Sequence, residues 1–169
     1  MQTAYNTQGL SYIRSPETRQ LPNIVYEDNS IEFNLGGLNV VFSTRSEHFR
    51  DQIVVCACGD TVWPAIQAAK YCQSRLNIGC KVLDVYTLKP IASFELKKAF
   101  GQTGKVMTVE SHVGYGGLYS AVAEHVPVLK ALRLNKPPRC DKDVEEVQRI
   151  ASINKESIIA AIKMLCQAT

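Results

Sequence analysis

No apolar run in the chain approaches the roughly 20 residues of a membrane-spanning helix, and the opening stretch, MQTAYNTQGLSYIRS, lacks the charged-then-apolar order of a secretory leader. Basic runs are missing as well. Lys and Arg are scattered among Asp and Glu without interleaved aromatics, and the net charge is only +3, so nucleic-acid binding has no positive support. The six cysteines (Cys56, Cys58, Cys72, Cys80, Cys140 and Cys166) come with neither a leader nor the small size at which domains depend on disulfides, and they read as reduced thiols. Cys56 and Cys58 would share one face of a regular strand, but the second Cys or His pair of a metal site is missing. These absences describe a soluble, cytoplasmic chain with no membrane and no nucleic-acid partner.

What is present suffices for one core. A chain of 169 residues, 46% of them hydrophobic, can bury a single domain and is too short for two ordinary ones. Short β-branched runs at 39–43 (NVVFS) and 53–57 (IVVCA) predict two strands, read as neighbours across a charged turn. The stretch 60–76 follows with apolar residues three and four apart, Pro64 in its first turn, and Asp60 or Thr61 as its cap. Residues 80–86 predict a strand and 93–100 a short helix, with Ser93 as cap and Glu95 near its positive end. A strand, a glycine loop and a helix ended by Pro127 come next, then a strand at 131–134. Helices at 143–151 and 155–168, the latter capped by Asn154, complete the pattern. Such alternation implies a three-layer α/β/α sandwich around a mostly parallel sheet of about five strands.

Ahead of this body lies an N-terminal arm. Gly9 to Arg14 read as a short strand without an evident partner, and the long, weakly periodic stretch after it suggests that the chain begins inside the end of a preceding domain. Arg14 and Arg19 stand out in the arm, because an arginine on an irregular segment can fork onto a phosphate or carboxylate; the plainer reading is a solvated side chain.

The body is organised around 105–126, KVMTVESHVGYGGLYSAVAEHV. A strand runs into Glu110, Ser111 and His112, turns through Gly114, Gly116 and Gly117, and becomes a helix, at the strand end where ligands gather in open α/β sheets. Glycine loops before helices can cradle phosphate, but this one has neither the lysine of a P-loop nor GxGxxG spacing. Ser111 and His112 are adjacent on an extended chain and point apart, which disfavours a nucleophile–base pair. The plainer readings are a tight turn that lets the helix pack closely and polar groups facing a partner. By similar weighing His125 is a core or edge histidine, His48 a solvated one, and Trp63 a packing residue.

Taken in order, GLSYIR, TRQLPNIVYED, FNLGG, IVVCACGDTVWPAIQAAKYC, CKVLDVYTLKPI, KVMTVESHVGYGGLYSAVAEHV and INKESIIAAIKML resemble the last third of a transketolase. The resemblance runs from about Tyr5 to Leu165 and is strongest to the animal-type branch and the split enzymes of prokaryotes. It implies a boundary, with residues 1–36 as the end of a pyrimidine-binding domain and its linker and residues 37–169 as the C-terminal domain. It also implies that the whole enzyme moves a two-carbon ketol unit from a ketose phosphate to an aldose phosphate, using thiamine diphosphate and a divalent metal, Mg or Ca. Both would be held by upstream diphosphate- and pyrimidine-binding domains, with none bound to this chain. Arg19 in TRQLP matches the family's phosphate-clamping arginine. Ser15, Pro16 and Glu17 lengthen that connection and make Arg14 the second choice. No catalytic residue is carried over. The chain is expected to scaffold a homodimer that acts on sugar phosphates and to be inactive alone, with Glu110, His112, Gly114, Gly116 and Gly117 as interface groups. Alternatives are the corresponding domain of a 2-oxoacid dehydrogenase beta subunit, which would bind an acyltransferase core, that of deoxyxylulose phosphate synthase, or a free-standing interaction module.

Overall fold

The computed structural model describes residues 8–12, 25–26, 31, 33–46, 49–134, 146, 149 and 151–167. Five strands form one sheet: β1 (Asn39–Ser43), β2 (Ile53–Ala57), β3 (Cys80–Asp84), β4 (Val106–Val113) and β5 (Lys130–Leu134), in the order β1-β3-β2-β4-β5. All neighbours run parallel except β1, which lies antiparallel to β3. Helices α1 (Val62–Leu76) and α4 (Lys155–Gln167) cover one face; α2 (Ser93–Thr103) and α3 (Leu118–Ala123) cover the other.

The pattern of each strand explains its place. Every residue of β2 is buried. Ile53, Val55 and Ala57 meet the α1/α4 layer, while Val54 and Cys56 meet the α2/α3 layer. A strand apolar on both faces belongs in the middle of a parallel sheet. β1, with Asn39 and Ser43 among its residues and Val40 and Ser43 exposed, suits an edge.

The expectation that β1 and β2 pair is corrected, because β3 lies between them. Side chains in the charged connection hold that arrangement. Asp51 is buried and accepts hydrogen bonds from Ser43 Oγ (2.8 Å) and from the backbone N–H and Oγ1 of Thr44 (3.0 and 2.8 Å). Thr44 Oγ1 in turn accepts the N–H of Cys80 at 3.0 Å, which fastens the connection over the start of β3.

Three further expectations change. Gly9 to Tyr12 form no strand, with Leu10 and Tyr12 exposed. Residue 13 onward in that stretch, including Arg14 and Arg19, lies outside the described residues, as do His48 and most of 143–151. Ser93 is the first residue of α2 rather than its cap, and α1 has no side-chain cap bond at Thr61. Asn154 does cap α4: its Oδ1 accepts the N–H of Ser157 at 3.0 Å. Left-handed residues end two helices, Asn77 (φ 56°) after α1 and Gly104 (φ 67°) after α2.

Candidate functional site

Chain direction defines where to look. From β2 the chain passes through α1 to β3 on one side, whereas β4 lies on β2's other side and leads through α3 to β5. The carboxyl ends of β2 and β4 therefore flank the switch point of this doubly wound sheet, the usual crevice for ligands in such folds. Cys58, Asp60 and Thr61 come to it from β2, and Glu110 to Gly117 from β4.

Hydrogen bonds within the chain engage polar groups of this crevice. Between Val109 and Val113 β4 bulges, so that its pairing with β5 resumes only at Val113 and Leu134. Glu110 lies on the α2/α3 face of β4 with Val106 and is 1% exposed, and its carboxylate accepts the N–H groups of Leu118 (2.6 Å) and Tyr119 (2.9 Å) at the start of α3. Gly117 lies directly over that carboxylate. A Cβ there would overlap Glu110 Oε2 and come within 2.7 Å of His112 Cδ2. Gly116 takes φ +71°, a left-handed conformation that favours glycine, and donates its N–H to Ser120 Oγ at 3.1 Å.

Other groups close the remaining sides. Thr61 is fully buried, and its hydroxyl lies 2.8 Å from the Val109 carbonyl and 2.9 Å from the Cys58 carbonyl while accepting the Cys58 N–H at 3.3 Å. Ser111 Oγ donates to Asp60 Oδ2 at 2.9 Å across the crevice. Burial pushes the Cys58 thiol up to about 12, with the charges of Glu110, Asp60 and Asp84 adding to the effect. Cys56, wholly buried, is also pushed up to about 12 by burial alone. Neither is a ready thiolate at neutral pH. Cys56 is enclosed in the α2/α3 core, and Cys58 packs partly against it, which settles the pair as packing groups.

Sequence reasoning located the loop. Glu110 was expected as an interface group facing a partner; the structure buries it on the same face of β4 as Val106, against the start of α3. His112 is exposed, as are Gly114 and Gly116, whereas Gly117 is buried. Tyr115, at 78% exposure, is the loop's most prominent surface group. Arg133 was missed altogether. Its guanidinium donates to the Gly114 carbonyl at 2.8 Å and stacks 4.6 Å from the Tyr119 ring centroid, clamping the loop from β5. An arginine within ALRL carried no signal of that role.

A diphosphate cofactor does not fit this loop. The two N–H groups that would meet a phosphate already serve Glu110, whose charge would repel one. Among the described residues no three His, Cys, Asp or Glu side chains are grouped to hold a metal.

The fold and site thus define a doubly wound α/β domain at whose switch point the chain's own polar groups bond to one another. The family model "Transketolase, C-terminal domain" matches residues 44–140, more than half of the chain. The chain belongs to the transketolase C-terminal domain family. Rat transketolase is 32% identical over 171 residues, covering 98% of this chain and 26% of the rat protein. Mouse transketolase is 31% identical over 171 residues, covering the same shares, 98% and 26%. A solved structure described as a split gene transketolase, inactive beta4 tetramer, superposes with a TM-score of 0.70 at 27% identity, covering 86% of this chain and 46% of that one. The chain spans about a quarter of the length of the transketolases it matches.

Proposed function

We propose that this chain is the C-terminal part of a thiamine diphosphate-dependent transketolase, a transferase of two-carbon ketol units between sugar phosphates, and that it acts there as a scaffold and dimer-contact domain. The reading is carried by one observation above all: similarity to rat transketolase extends through 98% of the chain, arm and domain together. The hydrogen bonds of the crevice agree with a structural role, since Glu110, Thr61, Ser111 and Asp60 are engaged within the chain. Thiamine diphosphate and its Mg or Ca ion are assigned to the diphosphate- and pyrimidine-binding domains, and the contact surface to the loop bearing His112, Gly114 and Gly116, with Gly117 and Glu110 holding its shape. Arg19 is the proposed contact for a sugar phosphate, with Arg14 second, and the compartment is the cytoplasm.

The test is ketol transfer from xylulose 5-phosphate to ribose 5-phosphate with thiamine diphosphate and magnesium. This chain alone should give no turnover, and the chain assembled with its diphosphate- and pyrimidine-binding domains should. Turnover by the chain alone would overturn the scaffold role; an inactive assembly would overturn the transketolase assignment.

A further inference from the structure

Away from the crevice, at the amino edge of the sheet, Cys72, Cys80 and Cys166 come together. Helix α1 returns from β2 to the start of β3, which brings Cys72, near the helix end, beside Cys80, the first residue of β3. Helix α4 ends at the same edge, because Lys105, just ahead of β4, donates its ammonium to the Leu165 carbonyl at 2.8 Å. Cys166 follows that carbonyl in sequence. All three thiols are free and pack in the α1/α4 core. Cys72 and Cys80 are 0% exposed, whereas Cys166 is partly exposed.

The sulfurs are close enough to act on one another. The Cys80 thiol donates a hydrogen bond to Cys72, with the Ile78 carbonyl as a second acceptor at 3.7 Å. The turn between the two cysteines is braced, since the Ile78 N–H donates to the Cys72 carbonyl at 3.1 Å. That thiol–thiol bond lowers the pKa of Cys72 against the effect of burial, and together with burial it raises that of Cys80. Burial raises Cys166, with the Lys105 ammonium opposing it and Cys72 adding to it. A donor beside one sulfur and an ammonium beside another are the surroundings that support thiolates. No metal set is formed by these groups, so the chemistry open to them is of one thiol with another.

We propose that Cys166, Cys72 and Cys80 form an oxidation site for hydroperoxides, at which Cys166 takes the oxidising equivalent from solvent and passes it inward to end as a Cys72–Cys80 disulfide. The Cys166 thiolate attacks the peroxide and the O–O bond breaks. Cys166 becomes a sulfenic acid, and the departing oxygen leaves as water or an alcohol with the thiol's proton. Cys72 then attacks the sulfenic sulfur. The S–O bond breaks, water leaves with the Cys72 proton, and a Cys72–Cys166 disulfide remains. Cys80 attacks the Cys72 sulfur in turn and releases Cys166 as a thiol, its own proton passing to Cys166. In sum two thiols give up two electrons and two protons, and the peroxide is reduced. The contact Cys80 already makes with Cys72 ends the relay there, because bridging two touching sulfurs displaces the fold least.

Hydrogen peroxide added to the full folded chain, followed by alkylation and peptide mapping by mass spectrometry, tests the site. The wild-type chain should yield a Cys72–Cys80 cross-linked peptide with Cys166 still open to alkylation, a result that does not depend on any variant folding. Cys80→Ala should stop at a Cys72–Cys166 disulfide. Cys72→Ala should leave Cys166 without a resolving thiol, so that sulfinic and sulfonic acids accumulate on it. Cys166→Ala should form the Cys72–Cys80 disulfide about tenfold more slowly, since two fully buried thiols then meet peroxide only through local opening. Absence of the Cys72–Cys80 disulfide in the wild-type chain, or a cross-link to Cys140, outside the described residues, in its place, would overturn the site. An undiminished rate in Cys166→Ala, or no Cys72–Cys166 disulfide in Cys80→Ala, would overturn the relay through Cys166.

Discussion

Replacing Gly117 by alanine tests the account of the glycine loop most directly. The added methyl would overlap Glu110 Oε2, and the neighbour that must give way is a side chain only 1% exposed. Its displacement breaks the bonds to the Leu118 and Tyr119 N–H groups, at 2.6 and 2.9 Å. A hydrogen bond to a charged group contributes about 1.5–3 kcal/mol. Partial loss of two of them, offset by relaxation of the loop, gives a destabilisation of about 3 kcal/mol for Gly117→Ala. Urea denaturation followed by far-UV circular dichroism should register this as a midpoint lowered by roughly 1.5 M, for a slope near 2 kcal/mol/M. Glu110→Ala should cost a similar amount, because it leaves both N–H groups without their acceptor. The double variant decides the mechanism. Without the carboxylate, the methyl at 117 meets mainly the exposed His112 ring, which can swing away, so the pair should cost little more than Glu110→Ala alone. Additive losses in the cycle would refute steric coupling through Glu110, and a Gly117→Ala cost under about 1 kcal/mol would refute the clash itself.

Three other perturbations probe separate parts of the fold. Asn154→Ala removes the acceptor that caps α4 and should cost about 1 kcal/mol in the same denaturation assay; no loss would show that the start of α4 does not depend on the cap. Cys58, pushed up to about 12, should be alkylated by iodoacetamide at pH 8 at least a hundredfold more slowly in the folded chain than in urea, since only about 10⁻⁴ of such a thiol is ionised there. Equal rates by mass spectrometry would contradict its burial among carboxylates. Asp84, held by burial above its ordinary value, binds its proton more tightly folded than unfolded. Its favourable contribution is present at low pH and is lost as pH rises through the raised folded value. Asp84→Asn should therefore gain stability relative to wild type between pH 3 and pH 7, and a difference that is flat or of opposite slope would refute the reading.

Regular periodicity made most of the body legible. IVVCA, apolar and β-branched, was legible as a strand though not as the central one, and the three-four spacing from Val62 to Leu76 marked α1 within its observed bounds. Strand order was less accessible, because proximity in sequence favoured pairing β1 with β2, whereas Asp51 and Thr44 fasten the connection across β3. The direction of Glu110 follows strict alternation along β4, with Val106 in the α2/α3 layer and Met107 and Val109 in the α1/α4 layer; what no local pattern showed is that the N–H groups opening α3 lie there to receive it. Thr61 read equally well as a helix cap; its burial against the Val109 carbonyl depends on β2 and β4 being neighbours, a non-local fact. Asp84 and Tyr26, hydrogen-bonded across 58 positions, left no local trace of each other.

The same glycine loop can serve opposite ends, and the strand residue that precedes the turn and points inward decides which. Where backbone N–H groups at the start of a helix are left open, an anionic ligand completes them. Here β4 supplies the anion itself through Glu110, and Gly117 makes the space for it. Arg133 fixes the loop's first carbonyl and Ser120 its third residue's N–H. A loop satisfied on all these sides has little reason to rearrange around a small molecule, yet it carries His112 and Tyr115 outward on a braced base. Side chains whose support is already fixed lose less freedom when another surface covers them. The loop is therefore better suited to a constant contact than to a ligand that must enter and leave.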